Sequence, residues 1–340
     1  MIRRTFTFTT LALLLASSAQ IALTQTRGRT SRPAQTQPVS SLLASLPQSD
    51  AVTLVKVNRL LSDVMPRILA NNPAKITDLN ASIENFKTRT GLDPRSFDEV
   101  ALGFRYTYPR EGVTKLITAA LAKGTFNAGA LVAAGRLAAD GKYREEKYQG
   151  KSVYIFSLDE SIRLFGVIDL KIGELAASPI DGSTLALGDP KSIRSVIDAS
   201  TGRSRVNTEL VSLASRDPNA VIGFGGNISP QLLQNLDVTN ASFAGDLSGV
   251  RQAYGSISAN ERDLEVFIGA RTVNNDAARN LSDTLEGLKQ LGALFAGRLV
   301  GPKGVLAKSA LSNLKIVTQA NELQIRTAVA QADLGPLVGR

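Results

Sequence analysis

Hydrophobic and polar positions along the chain alternate between the two-residue period of a strand and the 3.6-residue period of a helix. A strand is predicted over residues 51–57, and a helix follows from Asn58, which Pro66 kinks or splits. A second helix is predicted over residues 73–89, because its apolar residues recur on one face and Gly91 ends it.

The remainder of the first half is typical of strands joined by tight turns. Asn127 has the side chain of a helix cap, and the pairs Gln149-Gly150 and Asp181-Gly182 are favoured in hairpin turns. We therefore predict strands over 100–108 and 116–122, a helix over 127–140, hairpins over 143–157 and 174–187, and a helix over 189–199.

The second half repeats this order of elements. Asp50-Ala51-Val52 at the first strand is echoed by Asn219-Ala220-Val221 at its counterpart. A strand is predicted over 220–226, then a helix opened by Ser229-Pro230, strands over 250–259 and 263–271, a long amphipathic helix over 275–297 and a hairpin over 314–330. The pattern predicts an α+β fold of two related lobes, 42–202 and 207–338, each an antiparallel sheet with helices packed on one face.

The first 41 residues have a different character. Arg3 and Arg4 precede an uncharged run and the small residues Ser17 and Ala19, which is the pattern of a signal peptide over residues 1–19. Residues 20–41 are rich in Thr, Ser, Gln, Arg and Pro and are expected to form a flexible basic linker. The chain is therefore predicted to be exported, to the periplasm or beyond the cell.

Composition narrows the chemistry that the chain can perform. It contains no Cys, no His and no Trp, which excludes disulfides, thiol or imidazole catalysis and the usual zinc ligands. We expect no cofactor, no metal and no catalytic residue. The formal charge of +9 includes five arginines before residue 33, so the net charge of the remaining chain is much lower. No nucleic-acid partner is therefore expected. No membrane span is predicted after the signal peptide.

Two motifs are similar to catalytic or phosphate-binding sites. Residues 223–227, Gly-Phe-Gly-Gly-Asn, lack the spacing of a dinucleotide loop and favour a tight exit from a strand. Ser312 and Lys315 have the spacing of an acyl-transfer pair, but Lys315 begins an alternating strand, which would direct the two side chains apart. Carboxylates remain as the only plausible catalytic groups.

Short sequence strings indicate a resemblance. Residues 46–51 (Leu-Pro-Gln-Ser-Asp-Ala), 90–94 (Thr-Gly-Leu-Asp-Pro) and 148–154 (Tyr-Gln-Gly-Lys-Ser-Val-Tyr) carry it. Together with the order of elements, they resemble exported bacterial α+β proteins grouped as domains of unknown function. The resemblance implies a fold type and export, and it supplies no functional residues.

The hairpin over residues 143–157 is the candidate ligand-binding site. Only 5% of the residues are aromatic, yet this hairpin concentrates tyrosines between cations. Flat aromatic faces beside charged hydrogen-bonding groups suit a glycan or another envelope component. The predicted ligand-binding residues are Tyr143, Arg144, Lys147, Tyr148 and Tyr154.

The preferred interpretation is an exported, non-catalytic binding or envelope-associated protein. Two alternatives stay open. One is a carboxylate-dependent hydrolase of the glycoside type in a cleft between the lobes, which needs acids from both halves to converge. The other is a carrier of an apolar ligand, which needs a cavity between sheet and helices.

Overall fold

A computed structural model of the protein describes residues 40–90, 93–139, 141–157, 161–164, 168–171, 174–235 and 241–335. The predicted signal peptide and almost all of the predicted linker lie outside these described residues. The strands are β1 Ala51–Val55, β2 Phe97–Arg110, β3 Val113–Gly124, β4 Tyr143–Tyr148, β5 Lys151–Ser157, β6 Ser161–Leu164, β7 Ile168–Lys171, β8 Glu174–Pro179, β9 Thr184–Gly188, β10 Ala220–Asn227, β11 Val250–Ala259, β12 Asp263–Thr272, β13 Lys315–Gln319 and β14 Glu322–Ala330.

Two predicted helices begin with a side-chain cap. Asn127 accepts a hydrogen bond from the Ala130 amide, and Asn274 accepts one from the Ala277 amide. The helices are α1 Ser41–Ala44, α2 Val57–Arg59, α3 Met65–Ile68, α4 Pro73–Thr90, α5 Ala128–Ala138, α6 Pro190–Ser200, α7 Thr208–Ala214, α8 Pro230–Gln234, α9 Ala241–Leu247, α10 Asn275–Ala296, α11 Gly301–Ser312 and α12 Gln331–Leu334. A π-helical turn, Leu60–Val64, joins α2 to α3, and a 3-10 turn, Pro94–Ser96, precedes β2.

One antiparallel sheet of 12 strands contains strands from both halves of the chain. Its order is β13-β14-β12-β11-β10-β1-β2-β3-β9-β8-β5-β4, while β6 and β7 pair separately. The predicted α+β class with antiparallel pairing is confirmed. The two halves meet where β1 pairs with β10, with Ala51 opposite Gly226 and Val55 opposite Ile222. The boundary between the halves is therefore a hydrogen-bonded strand pair.

The order of strands away from this pair is the same on both sides. It runs β1-β2-β3-β9-β8 in the first half and β10-β11-β12-β14-β13 in the second. The hairpin β4–β5 is an addition at the outer edge of the first half. This shared order is compatible with the predicted internal duplication.

Helices cover both faces of the sheet, which corrects the expectation that each half packs its helices on one face. In β5, Val153 and Ile155 pack in a core with α6, whereas Phe156 packs in a separate core with α5. Successive strand residues point to opposite faces. Because both faces of β5 are apolar, each of them needs a covering helix.

The second half leaves part of one face open. Helices α10 and α11 pack against β12, β13 and β14 on the face that carries Ile316 and Ile325. On the opposite face, α7 contacts β10, β1 and β11. Lys315, Val317 and Arg326, on that same face of β13 and β14, are exposed.

The glycines of β10 explain how α7 comes so close to the sheet. A Cβ atom at Gly223 would lie 2.0 Å from the carbonyl oxygen of Ala214, and one at Gly225 would lie 2.8 Å from the Cβ of Leu213. These glycines lie inside the strand, so the expected tight strand exit at residues 223–227 was wrong. The sequence pattern reflects close helix packing on a central strand.

Candidate functional site

The predicted aromatic hairpin forms as β4 and β5, and its rings lie against neighbouring helices. The Tyr143 hydroxyl accepts a hydrogen bond of 2.9 Å from Arg136 Nε on α5. The Tyr143 ring lies 6.0 Å from the Phe156 ring. The Arg136 guanidinium also lies 5.4 Å from the centre of the Tyr154 ring. Tyr143 and Tyr154 are half-buried and pack on α5.

Tyr148 contacts the other face of the sheet. Its hydroxyl donates to the carboxylate of Asp198 on α6, at 3.1 and 3.2 Å from the two oxygens. The guanidinium of Arg194, also on α6, lies 5.9 Å from the ring centre. Tyr148 therefore has an intramolecular partner for both its hydroxyl and its ring.

The two cations of the hairpin that were predicted to bind a ligand, Arg144 and Lys147, are exposed. Arg144 donates to Glu174 at 2.6 Å and to Glu146 at 3.4 Å. The hydrogen bond from Arg194 is the main cause that lowers the pKa of Glu146. The structure thus groups the five predicted residues on one hairpin, with half-buried tyrosines and with Arg144 and Lys147 exposed. Their ligand-binding role stays a prediction.

A second polar cluster, which no motif in the sequence indicates, surrounds Tyr254 on β11. Tyr254 is fully buried, and its hydroxyl accepts a hydrogen bond of 2.5 Å from Arg216 Nη1. Arg216 and Arg271 both contact Glu322, at 3.1 and 3.4 Å. The Tyr254 ring crosses Gly269 on β12, where a Cβ atom would lie 2.1 Å from the ring carbon Cζ.

The environment shifts the pKa of two of these groups. Burial, together with a hydrogen bond to Glu322, raises the pKa of Tyr254 to about 12. Burial alone would raise the pKa of Glu322, but hydrogen bonds with Tyr254, Gln324 and Arg216 outweigh it and lower that pKa to about 2. The tyrosine is therefore neutral and the glutamate ionised near neutral pH, which keeps the cluster fixed.

Beside this cluster lies an open groove of about 440 Å³, on the part of the same face that α7 leaves open along β11, β12, β14 and β13. We call it the sheet groove. One side carries Lys315 and Arg326, which are directly opposite each other in the β13–β14 register. The other side carries Asp217, Ser256 and Ser258. Both serine hydroxyls donate to Asp217 Oδ2.

A third surface consists of large apolar side chains at the turn between α10 and α11. Ala296, Ala307 and Leu311 pack the two helices together. Six neighbouring side chains remain exposed, and we call this group the helical tip. Its members are Leu291 (54% exposed), Leu294 (70%), Phe295 (64%), Leu299 (49%), Val300 (90%) and Val305 (52%).

The charges around the helical tip have one sign. Residues 287–321 contain five cations and no Asp or Glu. Arg298, Lys303 and Lys308 are exposed beside the apolar residues, whereas Lys289 is buried and paired with Glu286 at 3.1 Å. This acid-free segment is readable in the sequence, but the exposure of its apolar residues is not. Within the part of the chain that the structure describes, no helix combines the length and apolarity needed to cross a membrane.

Comparisons with known proteins give fold likeness alone. No protein-family model matches the chain, and no curated protein matches it. Crystal form III of TP0453 is similar at 10% sequence identity and a TM-score of 0.48, covering 88% of this chain and 98% of that chain. Crystal form I of TP0453 has 9% identity and a TM-score of 0.46, with 88% and 97% covered. No functional residue is transferred from either structure.

Proposed function

We propose that the protein is an exported, non-catalytic protein that attaches to the anionic lipid surface of the cell envelope through its helical tip. The observation that carries the proposal is the exposed group of six large apolar side chains beside three exposed cations, Arg298, Lys303 and Lys308, in a segment without acids. Contiguous exposed apolar surface on a folded protein marks an interaction site.

The physical basis is the match between this surface and a lipid interface. Leu294, Phe295 and Val300 would enter the boundary between headgroups and acyl chains, which removes their apolar area from water. The cations Arg298, Lys303 and Lys308 would remain at the level of the anionic headgroups. The helices would lie in the interface, since the apolar residues are confined to one turn and its flanks.

Export is the second part of the proposal and depends on the sequence alone. Residues 1–19 have the arrangement of a signal peptide, with cleavage after Ala19. Sequencing the N-terminus of the mature protein from the envelope fraction tests this part. A chain that retains Met1 in the cytoplasm would contradict export but would leave the lipid-binding surface to be judged separately.

Vesicle co-sedimentation tests the lipid attachment. The full chain is expected to sediment with vesicles rich in phosphatidylglycerol and much less with pure phosphatidylcholine, and salt is expected to weaken the binding. The double variant Leu294→Ser/Phe295→Ser is expected to bind about tenfold more weakly or worse, because it loses buried apolar area. The double variant Lys303→Gln/Lys308→Gln is expected to bind these vesicles about fivefold more weakly for each lysine removed.

A matched control is available on another surface. Val317 on β13 is 57% exposed, and Val317→Ser is expected to leave vesicle binding unchanged. Thermal melting checks that each variant is folded, which is the expected result because the substituted side chains are exposed. The proposal is wrong if anionic vesicles do not retain the chain. It is also wrong if the unsubstituted chain forms a dimer in sedimentation velocity and does not bind vesicles, and the serine variants abolish that dimer. A second copy of the chain would then cover the tip.

A further inference from the structure

We infer that the sheet groove binds an acidic saccharide, with the anionic group held by Lys315 and Arg326 and the sugar hydroxyls held by Asp217. The groove lies beside β13 and β14 on the face opposite to the one that α10 and α11 cover. The inference goes beyond lipid attachment, because it uses different residues and a different ligand.

The cation side of the groove is arranged in a way that folding alone does not favour. Lys315 and Arg326 are directly opposite each other on neighbouring strands, and like charges at such positions repel. Among the residues that the structure describes, neither side chain forms an ion pair. The Arg326 guanidinium lies 4.3 Å from the centre of the Phe267 ring, which holds it over the groove floor. A bound carboxylate or other anion would relieve the repulsion.

The opposite side of the groove supplies hydrogen-bond acceptors. Asp217 Oδ2 accepts from Ser256 and Ser258, and Oδ1 accepts from the Asn219 amide at 2.9 Å. An ionised carboxylate has about four acceptor positions, so at least one remains for a ligand hydroxyl. The two serine hydroxyls use their protons on Asp217, and their oxygens are therefore further acceptors. A second acid, Glu265, also lines the groove and accepts from Asn260.

This division of the groove selects among ligand classes. A simple anion would use the cations and leave the remaining acceptor position of Asp217 unused. A neutral sugar would use the acceptors and leave two cations in repulsion. A molecule with both an anionic group and several hydroxyls satisfies both sides, and the groove volume of about 440 Å³ suits a small ligand.

The test is calorimetric titration of the full chain with trigalacturonate, and the neutral control is its fully methyl-esterified form. The acid form is expected to bind and the ester is not. Lys315→Gln/Arg326→Gln is expected to weaken the binding by about tenfold or more, because two charge-assisted hydrogen bonds are lost. Asp217→Asn is expected to weaken it as well.

Matched controls separate this inference from the lipid proposal. Lys303→Gln/Lys308→Gln removes the same charge at the helical tip and is expected to leave trigalacturonate binding unchanged. Lys315→Gln/Arg326→Gln is expected to keep the vesicle binding. The inference is overturned if both double variants weaken trigalacturonate binding equally or if the ester binds as well as the acid. It is also overturned if inorganic phosphate binds as tightly as trigalacturonate.

Discussion

Nη1 of Arg216 lies 2.5 Å from the hydroxyl of Tyr254 and 3.1 Å from Oε1 of Glu322. Arg216 follows α7, whereas Glu322 begins β14, so this contact connects a covering helix with the outer strands of the second half. The ring of Tyr254 is buried beside this contact, and its hydroxyl accepts the hydrogen bond from Arg216. The cluster therefore ties the α7 side of the sheet groove to strand β14, on which Arg326 lies.

Replacing Glu322 with Gln is expected to reduce the acid sensitivity of the fold. The folded-state pKa is lowered from 4.5 to about 2, so the stabilisation is fully present above pH 4.5 and is lost as the pH falls through about 2. Since the group is partly open to solvent, Glu322→Gln is expected to cost no more than about 2 kcal/mol at neutral pH. Urea unfolding between pH 5 and pH 2 measures this. An unchanged slope of stability against pH in the variant would contradict the lowered pKa.

Adding a methyl group at Gly269 is expected to destabilise the second half. The new Cβ would lie 2.1 Å from Tyr254 Cζ, so the ring or the strand must move. We expect Gly269→Ala to lower the free energy of unfolding by about 1–3 kcal/mol. Gly287→Ala is the matched control, because its Cβ has no atom within 4 Å and lies inside α10. That change is expected to be neutral or to stabilise by up to about 1 kcal/mol. Equal stability of both variants in urea would exclude the close packing at Tyr254.

The hairpin tyrosines allow packing and binding to be separated. Tyr148→Phe removes the hydrogen bond to Asp198 and is expected to lower the free energy of unfolding by about 1 kcal/mol. Lys147→Gln alters an exposed side chain and is expected to leave stability unchanged. If the hairpin binds a ligand, Lys147→Gln weakens retention on an immobilised envelope fraction. Unchanged retention in both Lys147→Gln and Arg144→Gln would assign the hairpin to packing alone.

Local signals in the sequence predicted most of the elements of the fold. The cap at Asn127, the amphipathic pattern over 275–297 and the alternation in β2 depend on residues close together in the chain, and the corresponding elements form. Several helices were not predicted, among them α7 and α11. In α11, Leu306 and Leu311 are buried while Val305 is exposed, so its apolar residues do not follow one face.

Long-range relationships were beyond the local pattern. The pairing of β1 with β10 joins the two halves, and no residue near Ala51 identifies Gly226 as its partner. The sheet groove and the helical tip also differ in how far the local pattern predicts them. Lys315 and Arg326 lie within a predicted hairpin, so their opposition follows from its register. The exposure of Phe295, by contrast, depends on where α11 packs, and the amphipathic pattern alone predicts burial.

The most direct test of the lipid-binding proposal uses the absence of tryptophan from the chain. Leu294→Trp introduces a single fluorophore at the helical tip, where the native side chain is 70% exposed. Val317→Trp introduces one on β13 as the control. With vesicles rich in phosphatidylglycerol, the emission at position 294 is expected to shift to the blue, while the emission at position 317 stays unchanged. Emission at position 294 that does not respond to these vesicles, or that shifts equally at both positions, would contradict insertion of the helical tip.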